Sequence, residues 1–259
     1  TSNNFALNDC HLNGIRAQVK CAQLIVPENY SQPDGVKIAI NLAVLPAIDN
    51  SGDKSPLLFL AGGPGQAAVE LAAPLQRAFA EIHKTHDIIL IDQRGTGKSK
   101  PLNCEEVEVQ NVYQLTQKDF TAEEVKKCIN EFKVGDLAQY NSENAIRDFD
   151  AVRAALGYQQ VNLYGGSYGT RAALVYMRMF PDNIRSVVLD GVGPIEVPIG
   201  LFGQSAARSF NLLLEHCQQE NACKQAYPDL KNEFKQLKTR LEKVPVDINI
   251  PHPRLGTTT

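Results

Sequence analysis

The chain has 259 residues, 43% of them hydrophobic, enough for one large domain with a substantial core. Its net charge of -3, with no long run of one sign, argues against a nucleic-acid partner. No apolar run approaches the roughly 20 residues of a membrane span, so no membrane span is expected.

Two early strands are expected, in "CAQLIVPENY" and "VKIAINLAVLPA", joined by a turn at "SQPDG". The second alternates, with Val36, Ile38, Ile40 and Leu42 on one face. "SPLLFLAG" is short and wholly apolar, as suits a strand buried on both faces. A helix is expected from about Gln66 to Ile82, then a second buried strand in "HDIILID". "SENAIRDFDAVRAALGY" places Ile146, Phe149, Val152 and Leu156 on one helical face, with Ser142 as N-cap. "QVNLYGG" reads as a strand, "TRAALVYMRMF" as a helix stopped before Pro181, and "IRSVVLDG" as a strand. Such alternation predicts a mainly parallel sheet with helices on both faces. Residues 100–140 are polar and interrupt the pattern like a surface insertion, while 195–259 turn helical and rich in Lys, Gln and Glu. The end, "PVDINIPHPRLGTTT", has no helical pattern.

The six cysteines fall in three neighbouring pairs: Cys10 with Cys21, Cys104 with Cys128, and Cys217 with Cys223. None forms CxxC, and no Cys/His set has zinc spacing, so no metal is expected. Six cysteines allow on the order of 15 pairings, and incidental buried thiols are the alternative. Disulfides imply an oxidising compartment. The opening "TSNNFALNDC" is polar and has no signal-peptide pattern, as expected of a secreted or periplasmic protein whose signal has been removed.

"IILIDQRGTGKS" has the look of a strand entering a phosphate loop. A phosphate loop needs glycine five residues before Gly97, and that position holds Asp92, a carboxylate that repels phosphate. Pro101 discourages the helix whose N-terminus binds the anion. A tight turn is expected instead, with Arg94 pairing to Asp92 or capping nearby carbonyls, and no nucleotide and no cofactor.

"VNLYGGSYGT" carries the chemistry. It sets Gly165-x-Ser167-x-Gly169 between an expected strand and an expected helix, the context in which this pattern presents a nucleophile. The two glycines leave room for close chain approach. Ser167 is the expected nucleophile, and the Tyr168 amide an oxyanion donor. The second donor is expected from "GGPG" after the earlier buried strand, at the Gly63 amide.

"GGPG", "DQRGTGKS", "DFDAVRAALG", "NLYGGSYGT" and "VVLDGVGP" stand in the order found in α/β-hydrolase-fold serine peptidases of the prolyl iminopeptidase type. The chain most resembles the secreted tripeptidyl aminopeptidases of that group, over nearly its whole length. One departure is Ala61, where iminopeptidases often carry His. The resemblance implies the α/β-hydrolase fold, with "DQRG" as a structural turn. It also implies a peptide substrate with a free N-terminus, cleaved through an acyl-enzyme on Ser167.

The fold needs an Asp and a His after the serine. His216 sits in an expected helix of the cap, and His252 follows no strand. His83 and His86 precede the serine, and Asp190 ends one strand too early for the family's aspartate. The expectation is therefore an N-terminal portion: 1–194 as core and 195–259 as the start of a helical cap. The last strands, with Asp and His, then lie in a missing C-terminal half or a separate chain, and the chain alone is expected to be inactive. Glu196 stands near where the family binds the substrate ammonium, but surface charge explains it equally. An esterase of the same fold is the enzymatic alternative, and a non-catalytic peptide-binding remnant the alternative of another class.

Overall fold

The computed structural model describes residues 5–49, 55–104, 121–132, 134–198, 201–244 and 246. Among these, the residues up to Glu196 form one compact unit and those from Val197 on another.

The first unit is built on a seven-stranded sheet: β1 (Asn8–Cys10), β2 (Val19–Pro27), β3 (Lys37–Leu45), β4 (Leu57–Leu60), β5 (Ile88–Ile91), β6 (Val161–Gly166) and β7 (Ile184–Asp190). Their spatial order is β1-β2-β3-β5-β4-β6-β7. Pairing is antiparallel from β1 to β5 and parallel from β5 through β4 and β6 to β7. The strand–helix alternation read from the sequence gives the parallel half. The antiparallel half comes from the early hairpin and from β1, too short to show a period.

β4 and β5 are buried at every position, as their unbroken apolar runs require. Ile38, Ile40, Leu42 and Val44 of β3 enter one core face, but Val36 lies outside the strand and is 54% exposed. Two layers cover the sheet. One face packs on α4 (Ser142–Ala155) and α5 (Tyr168–Met179) through Ile146, Phe149, Val152, Ala173 and Tyr176. The other packs on Ala68, Ala72 and Leu75 around α1 (Ala72–Ala78).

The helix expected over 66–82 is broken. A 3-10 turn at Val69–Leu71 leads into α1, and a kink at Phe79 separates it from α2 (Ala80–His83). Pro74 sits in the first turn of α1, where its missing N–H costs nothing. The N-cap of α4 is Asn141, whose side chain accepts the Asn144 amide at 3.0 Å. Ser142 is already helical, and its hydroxyl bonds the Tyr168 hydroxyl at 2.7 Å instead.

Of residues 100–140, expected from the sequence to be a surface insertion, 105–120 lie outside the described part. α3 (Ala122–Glu131) opens on a Thr121–Glu124 capping box. Past it, the Gly135 and Asp136 amides both donate to the buried Glu28 carboxylate at 3.0 Å.

The second unit holds α6 (Phe202–Gln219), α7 (Asn221–Ala226) and α8 (Leu230–Lys243), amphipathic helices with Phe210 against Phe234. The Pro-punctuated tail and His252 lie outside the described residues. Disulfides join Cys10 to Cys21, Cys104 to Cys128 and Cys217 to Cys223. Among the described residues no helix is long and apolar enough to cross a membrane.

Candidate active site

β4 and β6 are parallel neighbours, yet their connections leave toward opposite faces of the sheet. β4 feeds α1 on one face, and β6 feeds α5 on the other. Such a switch point opens a crevice at the carboxyl ends of the two strands. The two glycine-rich motifs fall there, "GGPG" after β4 and "GGSYG" across the end of β6.

Ser167 stands between β6 and α5 with φ 53° and ψ -119°, a strained conformation for a residue with a side chain. The surroundings hold it there. The Ser167 amide donates to the Asp190 carbonyl at 2.9 Å, which ties the turn to the end of β7. The Thr170 amide and hydroxyl both donate to the Ser167 carbonyl, at 3.0 and 2.6 Å. The turn also depends on its glycines. A Cβ on Gly165 would strike the Gly169 carbonyl, and one on Gly169 would strike the Leu60 carbonyl at the end of β4. The turn and β4 thus approach backbone to backbone, which only a residue without a side chain allows.

Thr170, which the sequence reading passed over, is fully buried. Its hydroxyl also accepts the Gly193 amide at 2.9 Å, and Arg171 donates to the Pro194 carbonyl at 2.7 Å. "VVLDGVGP" is thereby clamped along the first turn of α5.

The facing loop comes close. A Cβ on Gly62 would lie 3.4 Å from the Ser167 Cβ. Gly63 has φ 104°, a conformation open to glycine, and a Cβ there would run into the Gly65 amide. Among the described residues neither the Gly63 nor the Tyr168 amide donates to a protein acceptor. For Tyr168, the first residue of α5, this is the usual state of a helix N-terminus, which also favours negative charge.

The "DQRGTGKS" turn is structural, and Arg94 does not pair with Asp92. Buried Asp92 turns the loop inward: it accepts the Val69 amide at 3.0 Å, the Lys98 amide at 3.1 Å and the Asn41 side chain at 2.8 Å. The amide that a phosphate loop offers to an anion is here spent on a carboxylate. Arg94 instead forms a fully buried two-pronged pair with Asp148 of α4, both contacts at 2.7 Å. Its remaining hydrogens cap the carbonyls of Glu28, Gln139 and Pro27. Tyr30 donates to the same Asp148 at 2.7 Å. Burial pushes the Asp148 carboxyl up from the usual carboxylate range, against the pull of Arg94 and Tyr30. Burial likewise raises the Tyr30 phenol.

Among the described residues no histidine hydrogen-bonds Ser167. His83 is buried with Nε2 2.9 Å from the Pro46 carbonyl, and His86 lies beside the Thr85 hydroxyl. His216 is exposed on α6, and Glu196 is exposed at the end of the first unit. Among the described residues no cluster of His, Cys, Asp or Glu is placed to hold a metal ion.

A family model described as "alpha/beta hydrolase fold" matches residues 55–247. The chain belongs to the alpha/beta hydrolase fold family. It is 32% identical over 195 residues to the serine protease Hip1 of Mycobacterium tuberculosis, covering 69% of this chain and 37% of that protein. It is 30% identical over 192 residues to the tripeptidyl aminopeptidase of Streptomyces lividans, covering 67% of this chain and 35% of that one. The proline iminopeptidase of Aeromonas sobria is 28% identical over 235 residues, 88% of this chain and 48% of that one. The chain therefore spans less than half the length of these relatives. A solved alpha/beta hydrolase from Novosphingobium aromaticivorans superposes with a TM-score of 0.45 at 18% identity, over 71% of this chain and 48% of that one.

Proposed function

We propose that the chain carries the nucleophile half of a serine aminopeptidase. Ser167 Oγ attacks the scissile carbonyl carbon as its proton passes to a general base. The tetrahedral oxyanion is held by the Gly63 and Tyr168 amides. Collapse expels the amine and leaves an acyl-enzyme on Ser167, which water then hydrolyses. The observation that carries this reading is the strained Ser167 backbone, braced by Thr170 and Asp190 beside a glycine loop with a free amide. A turn with no chemical task has no reason to hold a serine in that conformation.

The similarity to proteins named tripeptidyl aminopeptidase and proline iminopeptidase supports short peptides with a free N-terminus as substrates. This reading assigns the general base and its orienting carboxylate to polypeptide outside residues 1–259, a C-terminal half or a separate chain. It assigns residues 195–259 to the start of a cap. The three disulfides support a periplasmic or secreted setting.

The test compares anilides of short peptides with free and blocked N-termini. The protein together with its missing C-terminal half, in one chain or two, is expected to cleave the free forms, and Ser167→Ala to lower the rate by about a thousandfold or more. Equal cleavage of blocked peptides would remove the aminopeptidase reading, and an active Ser167→Ala variant the nucleophile. Turnover by the 259-residue chain alone would refute the placement of the base outside it.

A further inference from the structure

The glycine loop after β4 has few partners of its own. Gly63, Pro64 and Gly65 are exposed, and a small cavity lined by Ala61, Pro64, Gln66, Gln93, Phe149 and Ala172 lies against it. A loop this exposed can relax, and an amide that drifts is a poor donor to a developing charge. Gln66 closes the loop on itself. Its Oε1 accepts the Gly62 amide at 3.2 Å, and its own amide donates to the Gly62 carbonyl at 3.3 Å. The orientation of the carboxamide is determined by chemistry. The Gly62 amide can only donate, so the side-chain oxygen faces it and the NH2 faces away. The strap also stands beside the nucleophile. The point a Gly62 Cβ would occupy is 3.4 Å from the Ser167 Cβ and 3.6 Å from Gln66 Oε1.

We infer that Gln66 is the positioning residue of this site: its side chain straps the Ala61–Gly62 peptide and its backbone amide holds the Gly62 carbonyl, and the side-chain strap keeps the start of the loop in place so that the Gly63 amide stays aimed at the oxyanion. This rests on the proposed role of Ser167. Gln66 acts through the loop, so its removal slows the acyl-transfer step and leaves ground-state binding alone.

The experiment uses the full-length protein and two variants. Gln66→Met keeps length and volume but has no strong acceptor, and Gln66→Glu restores one. Exchange of the Gly62 amide with deuterium is followed by fragment-resolved mass spectrometry, beside kcat and KM on a peptide anilide. Gln66→Met is expected to speed Gly62 exchange about tenfold or more. It should lower kcat by about tenfold, short of the hundred- to thousandfold loss of a whole donor, with KM within about twofold. Gln66→Glu is expected to keep the exchange slow. Wild-type exchange in Gln66→Met overturns the strap, and wild-type kcat with fast exchange overturns its positioning role. The exchange result does not depend on catalysis, so it judges the strap even if Ser167→Ala proves active and the nucleophile reading falls.

Discussion

Replacing Arg94 by methionine tests whether the "DQRG" turn works as a buried electrostatic anchor. The substitution keeps much of the side-chain volume and removes the guanidinium. It strips Asp148 of both its Arg94 contacts, leaving only the Tyr30 hydroxyl, and it orphans the Pro27 and Glu28 carbonyls, while the Gln139 carbonyl keeps the Asn144 side chain. Breaking a fully buried pair by removing one partner costs about 3–5 kcal/mol, and each stranded carbonyl adds about 1 kcal/mol or more where water cannot reach it. Against a total stability of about 5–15 kcal/mol, the variant should be close to unfolding at neutral pH. The pH dependence has a definite sign. Burial already raises Asp148, and losing Arg94 removes the main opposing pull. The folded-state pKa then lies further above the unfolded value of about 3.9. The folded variant binds its proton more tightly, so its stability is greatest at low pH and is lost as pH rises through the folded pKa. Urea unfolding of wild type and Arg94→Met at about pH 7.5 and about pH 5.5 measures this. The gap is expected to be about 4 kcal/mol or more at the higher pH and smaller at the lower. A gap below about 1 kcal/mol, or one that widens on acidification, would refute the buried-anchor reasoning.

Two further outcomes concern the elbow. Ser167→Gly abolishes the proposed nucleophile but relieves a backbone at φ 53°, and should stabilise the fold by about 1 kcal/mol; an unchanged or lower melting temperature counts against stored strain. Thr170→Val keeps shape but removes the hydroxyl that serves the Ser167 carbonyl and the Gly193 amide. It should cost about 1–3 kcal/mol in chemical unfolding, and wild-type stability would show that the clamp on "DGVGP" contributes nothing.

The parts of this protein that sequence alone settles are those encoded within a few residues. β4 and β5 are legible as unbroken apolar runs, α4 as an amphipathic period, and the elbow as Gly-x-Ser-x-Gly between strand and helix. In each, the residue types that the conformation needs lie next to one another along the chain, although the elbow is finally held by Asp190 and Leu60 from other strands. What escapes that reading depends on which chain ends meet in space. Asn141 rather than Ser142 caps α4, because the Ser142 hydroxyl finds Tyr168, brought to it by a different helix. Arg94 passes over nearby Asp92 for Asp148, 54 residues away, because Asp92 is claimed by amides and by Asn41 of β3. Gln66 and Thr170 carry no motif, and become visible only as the partners of Gly62, Ser167 and Gly193. Sequence periodicity records which way a side chain points, into the core or out. Which polar partner waits there is decided when β4 and β6 are set side by side and their loops converge at one end of the sheet.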